Sequence, residues 1–337
     1  MKKIVYIRNI PIGDGNVTVQ SMTNTKTTDV DATIDQIVRL HQAGADFVRI
    51  SIPDVESAEA VDKIIQKSPV PIVGDIHYGE VPALIAIEKG IDKIRINPGN
   101  MTDKAISAVV KSCAAHNIPV RIGVNKGSSE YKTPEELALA CVDVAKKIED
   151  MGWDRLVLAV KTSSVPETVR AYEKLSELSD YPLHVGLTEA GVGEKAIIKS
   201  AVAIGSLLLK GIGDTIRVSL AGDPVREVYA AKEILHSVGI KNDFVEIIVC
   251  PTCARTCFPV EEVAKILQKK TENINKNLKI AVMGCVVNGI GEAKDADFGV
   301  AGGKDKSVIF KGGKILLTVP NEEIIPTLLQ MTESETK

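Results

Sequence analysis

Eight short β-rich runs, each followed by a helical pattern, recur through the first 240 residues of this 337-residue chain. They cover residues 17–22, 47–52, 71–77, 93–97, 119–125, 155–161, 182–188 and 215–220, and their starts lie 22 to 36 residues apart. That interval fits a strand, a helix and two loops. Eight such units in about 240 residues predict a (β/α)8 TIM barrel. A doubly wound sheet is the rival, but it seldom needs eight evenly spaced units. The helices are punctuated: Thr133-Pro-Glu-Glu136 and Ser164-Val-Pro-Glu167 both fit capping boxes. Gly44, Gly90, Gly152 and Gly239 stand just past apolar helical runs, where a left-handed cap favours glycine. Aromatic residues are only 4% of the chain, so the core is built from Val, Ile, Leu and Ala. Such a core suits parallel strands covered by helices.

Beyond Gly239 the rhythm changes. Residues 244–249 and 278–284 read as strands and 260–269 as a helix. A Gly-rich loop follows, then a hairpin over 308–319 turning at Gly312-Gly313 and a closing helix over 321–331. We expect a barrel over 1–240 and a smaller α+β domain over 241–337, divided near 239–243. The net charge of −3 gives no basic stripe for nucleic acid. The start lacks the apolar core and cleavage site of a signal peptide, and residues 201–209 are too short to span a bilayer. A cytoplasmic enzyme with no membrane or nucleic-acid partner is the expectation.

In a TIM barrel the chemistry sits at the carboxyl ends of the strands. There the runs carry Arg49 and Ser51, Asp75 and His77, Arg95 and Asn97, Arg121 and Asn125, Lys161, Thr188 and Glu189, and Arg217 and Ser219. Most pairs are two or four residues apart, which puts both side chains on one face. A single strand arginine is as often an outward residue paired with a helix carboxylate. Five cations in five strands are harder to explain that way. Buried charge is costly unless paired or bound to a ligand, and the carboxylates there are mainly Asp75 and Glu189. A polyanionic ligand is implied, and arginine forks suit a diphosphate. Lys161 also allows a Schiff-base aldolase.

Six cysteines are too few for a disulfide scaffold in a chain of this length. Cys113 and Cys141 sit in apolar helical runs and read as core packing. Cys250-Pro-Thr-Cys253, followed by Cys285, can reach one metal centre. An iron–sulfur cluster, zinc or no metal are all open on spacing alone. All five histidines, His41, His77, His116, His184 and His236, precede the pair, so zinc would need Cys257 as a fourth ligand. After Cys285, Gly289-Ile-Gly291 is no dinucleotide fingerprint, because Lys294 stands where a third glycine should be. The glycines would let backbone pass close to a cluster and bring Glu292 toward it.

Several longer motifs together resemble the 4-hydroxy-3-methylbut-2-enyl diphosphate synthase (GcpE) family in its two-domain bacterial form. They are Pro11-Ile-Gly-Asp-Gly15, Val19-Gln-Ser-Met-Thr-Asn-Thr25, Arg95-Ile-Asn-Pro-Gly-Asn100, Arg121-Ile-Gly-Val-Asn125, Gly213-Asp-Thr-Ile-Arg-Val-Ser219, Cys250-Pro-Thr-Cys-Ala-Arg255 and Gly284-Cys-Val-Val-Asn-Gly-Ile-Gly-Glu292. The resemblance implies reductive ring opening and dehydration of 2-C-methyl-D-erythritol 2,4-cyclodiphosphate to 4-hydroxy-3-methylbut-2-enyl diphosphate, in the non-mevalonate isoprenoid pathway. It implies a 4Fe–4S cluster on Cys250, Cys253, Cys285 and Glu292, the glutamate being displaceable by substrate. Diphosphate and hydroxyl contacts would fall on Arg49, Asp75, His77, Arg95, Asn97, Arg121, Asn125, Lys161, Thr188, Arg217 and Ser219, with Glu189 as a candidate proton donor. Flavodoxin or ferredoxin would supply electrons. A homodimer would let one chain's cluster domain cap its partner's barrel. Two departures stand out: Ile290 replaces the family's usual proline, which should loosen the loop carrying Glu292, and Cys257 is not a usual ligand position.

Three other readings compete. A Schiff-base aldolase could use Lys161 beside a zinc-stabilised tail. A zinc-stabilised barrel could merely bind a phosphorylated metabolite. Pterin-binding synthases share the barrel but have no evident need for a three-cysteine tail.

Overall fold

A computed structural model describes residues 2–335 except 129, 130, 132, 243, 273, 275, 287 and 288. The last residue of the expected boundary, Asp243, and Val287 and Asn288 of the Glu292 motif thus lie outside the described residues. Backbone contacts divide the chain into Met1–Ile240 and Lys241–Lys337.

The first unit is the expected (β/α)8 barrel. Its strands are β1 (Thr18–Met22), β2 (Phe47–Ile52), β3 (Ile72–Ile76), β4 (Lys93–Ile96), β5 (Val120–Asn125), β6 (Leu156–Lys161), β7 (His184–Val185) and β8 (Thr215–Ile216). They form one parallel sheet in the order β6-β5-β4-β3-β2-β1-β8-β7. A bridge between Leu158 and Leu183 brings β7 back to β6. Each strand is followed by helix, and Val, Ile and Leu from strands and helices fill the layer between them.

Three local expectations need correction. Strands β7 and β8 are two residues each, not 182–188 and 215–220. Arg217 N–H still bonds Val185 O at 3.0 Å, but Thr188 N–H goes to Thr162 O beyond β6, so the ladder stops. Thr188 and Ser219 therefore stand in loops. Thr133 makes its full capping box, whereas Ser164 makes no side-chain cap. The reason is competition: Glu167 is held by Lys126 Nζ at 2.7 Å, and Thr162 Oγ1 takes the Ser164 N–H. An antiparallel ribbon, Val5–Ile7 with Ile10–Ile12, was also unexpected. Its Val5, Ile7 and Ile12 pack on Phe47, Val73 and Val157 and plug the amino end of the barrel.

The second unit is a mixed five-stranded sheet: β9 (Val245–Val249), β10 (Leu278–Met283), β11 (Phe298–Ala301), β12 (Lys306–Lys311) and β13 (Lys314–Pro320), in that order. β9, β10 and β11 run parallel and the rest antiparallel. The hairpin turns at Gly312 and Gly313, both at positive φ as a two-residue turn requires. β11 lies in what reads as loop, because Gly299 interrupts its pattern. That glycine is required: a Cβ there would sit 2.5 Å from Ala281 O. The helix Val260–Thr271 and the closing helix Ile324–Ser334 pack on the sheet around Leu267, Ile280, Phe298 and Leu328.

Candidate active site and metal centre

The barrel strands turn alternate residues inward, and here those residues are charged. Arg49, Arg95 and Arg121 are all buried, on β2, β4 and β5. With Asp75, Asn125, Lys161, Thr188, Arg217 and Ser219 they line one cavity of about 160 Å³. Neither His77 nor Asn97 lines it, but His77 stands beside its Asp75: His77 Nε2 lies 3.9 Å from Asp75 Oδ2 and Nδ1 lies 3.5 Å from Ser51 Oγ. Asn97 Oδ1 accepts the Gly99 N–H and so shapes the turn after β4. Glu189 is exposed and lines an adjoining open cavity of about 450 Å³ with Thr188, Arg217 and Ser219. Its φ of +53° is unusual for a non-glycine residue.

Asp75 is the hub. Arg95 Nη1 donates to its Oδ1 at 3.1 Å, and Arg49 Nε is 3.8 Å from its Oδ2. Burial works to raise its pKa, but Arg49, Arg95, Arg121 and His77 hold it at about 2. Arg49 also donates Nε and Nη2 to Met22 Sδ, at 3.1 and 2.9 Å. Burial pushes its guanidinium down to about 10, still protonated at neutral pH. Arg121 has no partner for Nε or Nη1. Lys161 Nζ faces His184 Nε2 at 3.5 Å. Burial, and then the Arg121 and Arg49 charges, push the lysine well below its ordinary range; burial does the same to His184. The carboxylate census was one short. Glu227, in the first turn of the helix Val225–Ser237, accepts Arg217 Nε and Nη2, both at 3.2 Å.

Lys93 and Gln20 were also missed. Both are buried, and the Lys93 Nζ and both Gln20 amide atoms have no hydrogen-bond partner. The signal was present: Lys93 precedes Arg95 and Asn97 by the same two-residue step, one layer deeper. Burial pushes the Lys93 amine well below its ordinary range, helped by Arg121 and Arg49. Cys113 and Cys141 are buried in the barrel wall as expected, and burial raises both thiols to about 12.

In the second unit, Cys250 and Cys285 emerge just beyond the carboxyl ends of the parallel neighbours β9 and β10. Cys250 Sγ accepts the Gly284 N–H at 3.1 Å. Cys253 is exposed, and its N–H donates to Thr256 Oγ1 at 3.1 Å. Backbone and side-chain hydrogen bonds from Arg255 hold its thiol below the ordinary range. Arg255 also feels Cys285 and Glu292, so all three acids share one electrostatic neighbourhood. Residues Gly289–Glu292 form a single helical turn with Glu292 exposed. Cys257 is exposed, its Sγ on Arg255 O at 3.2 Å. Among the described residues, no three of His, Cys, Asp or Glu converge closely enough to hold a single ion. The chemistry nonetheless fits a cluster larger than one ion. Three thiols and a carboxylate border one end of the sheet, and a backbone N–H already points at a sulfur. The backbone there is closely packed: a Cβ on Gly302 would fall 2.9 Å from Gly284 O.

The GcpE TIM-barrel domain model matches residues 2–232, and the GcpE protein C-terminal domain model matches residues 246–334. Proteins named 4-hydroxy-3-methylbut-2-en-1-yl diphosphate synthase (flavodoxin) are similar over nearly the whole chain. That of Thermotoga petrophila is 47% identical, covering 97% of this chain and 96% of its own. That of Caldanaerobacter subterraneus is 46% identical, covering 99% and 97%. That of Aquifex aeolicus is 44% identical, covering 99% and 96%. Among solved structures, dihydropteroate synthase from Stenotrophomonas maltophilia superposes with a TM-score of 0.54 at 16% identity, over 70% of this chain and 98% of its own. At that identity the likeness concerns the barrel fold alone. No helix among the described residues is long and apolar enough to cross a membrane.

Proposed function

The chain belongs to the GcpE family, and from that premise we propose that it catalyses the flavodoxin-dependent reductive ring opening of 2-C-methyl-D-erythritol 2,4-cyclodiphosphate. Two electrons and two protons enter, the ring C2–O bond and the C3–O bond of the departing hydroxyl break, a C2=C3 double bond forms, and water and 4-hydroxy-3-methylbut-2-enyl diphosphate leave. The observation that carries this reading is the cavity where Arg49, Arg95, Arg121, Lys161 and Arg217 outnumber Asp75 and Glu227. A diphosphate restores that balance, and guanidinium groups match its oxygens. Nothing comparable is needed by a Schiff-base lysine, so the aldolase alternative lapses with the family assignment.

The iron–sulfur enzyme class follows from the family. Cys250, Cys253, Cys285 and Glu292 would hold a 4Fe–4S cluster, which supplies electrons and a Lewis-acidic iron. The chain's own residues do the rest. Arg49, Arg95, Arg121 and Arg217 bind and orient the diphosphate. Lys161, whose charged form a bound anion favours, joins them. Asp75 keeps Arg49 and Arg95 apart and aimed. His77, Asn97, Asn125, Thr188 and Ser219 offer hydrogen bonds to hydroxyl and phosphate oxygens. Glu189, on its constrained backbone beside the mouth, is the candidate proton donor. A homodimer, and ferredoxin as an alternative donor, belong to the same proposal.

The test is anaerobic turnover of the cyclic diphosphate by the reconstituted protein with reduced flavodoxin, product being read by phosphorus NMR. Formation of the linear diphosphate is expected. A fully loaded brown protein that leaves the ring intact would overturn the reading.

A further inference from the structure

We infer that Glu227, in the first turn of the helix after β8, is a positioning residue that presents Arg217 to the diphosphate by its end-on edge. The inference rests on the proposed function and deepens it.

Glu227 is only 3% exposed, and both of its oxygens are fully used. Oε1 accepts Arg217 Nη2 at 3.2 Å and the Leu220 N–H at 3.0 Å. Oε2 accepts Arg217 Nε at 3.2 Å and Ser21 Oγ at 3.2 Å. One carboxylate thus ties together β1, the loop after β8 and its own helix, with the guanidinium clamped between them. The side-on edge of Arg217, Nε with Nη2, is spent. The donors that Glu227 does not engage are Nη1 and the second Nη2 hydrogen. Arg217 borders both the 160 Å³ cavity and the open 450 Å³ cavity beside it, so its angle decides which one it serves. Arg121 is the contrast: its Nε and Nη1 have no hydrogen-bond partner.

The sign of the charge effect separates positioning from mere electrostatics. Glu227 places a negative charge behind an anion site and so weakens the attraction for diphosphate. Removing that charge should tighten binding if charge is all that matters. If orientation matters more, removal should weaken it.

Glu227→Gln keeps the shape and loses the charge. The expected result is a KM for the cyclic diphosphate raised about tenfold, with kcat changed less than about twofold and the cluster spectrum unchanged. The dissociation constant for inorganic diphosphate, read by calorimetry, should rise in parallel. In the Arg217→Ala background, Glu227→Gln should add nothing, because the guanidinium it aims is gone. Glu227→Asp keeps the charge and shortens the reach, and should raise KM as well; it serves if the Gln variant folds poorly. An unchanged or lower KM in a folded variant, or full additivity with Arg217→Ala, overturns the inference. Wild-type protein that binds no diphosphate at all would overturn the functional reading, and this inference with it. Wild type and variant binding equally well would overturn the inference alone.

Discussion

Arg95 and Asp75 meet across adjacent strands at 3.1 Å, and the Asp75 carboxylate, 3.8 Å from Arg49 as well, is a negative group set among three buried arginines. Asp75 is therefore the residue on which the interior depends. Its folded pKa of about 2 lies below the unfolded carboxylate value of about 3.9. A depressed carboxylate stabilises the fold fully above the unfolded value and loses that contribution as pH falls through the folded one. Roughly 2–3 kcal/mol should thus disappear between about pH 4 and pH 2. Asp75→Asn should destabilise by about 3–5 kcal/mol at pH 7 by leaving buried arginines unpaired, and inorganic diphosphate should recover part of the lost Tm. An Asn variant as stable as wild type would remove Asp75 from this role.

Lys93 should behave in the opposite sense. Its amine is buried without a partner, over the Phe47 ring at 5.4 Å, with its pKa well below normal. Folding therefore works against a proton that the unfolded chain holds up to about pH 10.4. Lys93→Met should therefore stabilise the barrel by about 1–3 kcal/mol at pH 7, and by less near pH 10. Urea unfolding at both pH values decides it. A destabilised Met variant would mean that the amine has a partner in solution.

Lys161 faces the ligand rather than the plug, and this separates it from Lys93. A bound diphosphate offsets the Arg121 and Arg49 charges that, after burial, hold the lysine down. Binding should then raise the lysine's pKa. Calorimetry of inorganic diphosphate binding in buffers of different ionisation enthalpy, repeated from about pH 7 to about pH 10, should show net proton uptake over part of that range, absent in Lys161→Met. Uptake of the same size in the variant would assign the proton elsewhere.

Much of this was legible in the chain because parallel strands write their inward face at every second residue. Arg49, Asp75, Arg95, Arg121 and Lys161 could be gathered on that rule alone, and the cavity gathers them. Thr188 and Ser219 could be gathered too, but their strand length could not: the backbone hydrogen bond from Thr188 to Thr162 is a tertiary choice. Glu227 stayed hidden because a carboxylate in a first helical turn ordinarily serves the helix dipole. Only the fold shows it turned onto Arg217. Ser164 failed as a cap for a similar reason, since Lys126 took its glutamate partner. β11 was lost to its own glycine, which the close approach of Ala281 demands.

The cysteine-side assignments separate by ligand type. Cys285→Ala removes a thiolate and should abolish the cluster, leaving a colourless protein after iron and sulfide reconstitution. Glu292→Ala removes only an oxygen donor and should retain much of the visible absorption while turnover falls. Wild-type turnover in either variant would strike that residue from the ligand set.

Ile290 lies second in the helical turn Gly289–Glu292, and this changes what its departure from the family pattern means. In a first helical turn the backbone N–H has no intrahelical acceptor, so proline loses nothing there. The residue before it is glycine, which tolerates the restriction that proline imposes on its predecessor. Isoleucine at this place therefore leaves the turn free to unwind, whereas proline would fix φ and lower the entropy of the unfolded segment. Ile290→Pro should fold normally, gain up to about 1 kcal/mol and slow loss of the cluster in air. The half-life of the visible absorption, measured beside Tm, reads both effects. A less stable variant whose cluster decays faster would show that the turn needs the freedom, or the side-chain packing, that isoleucine provides.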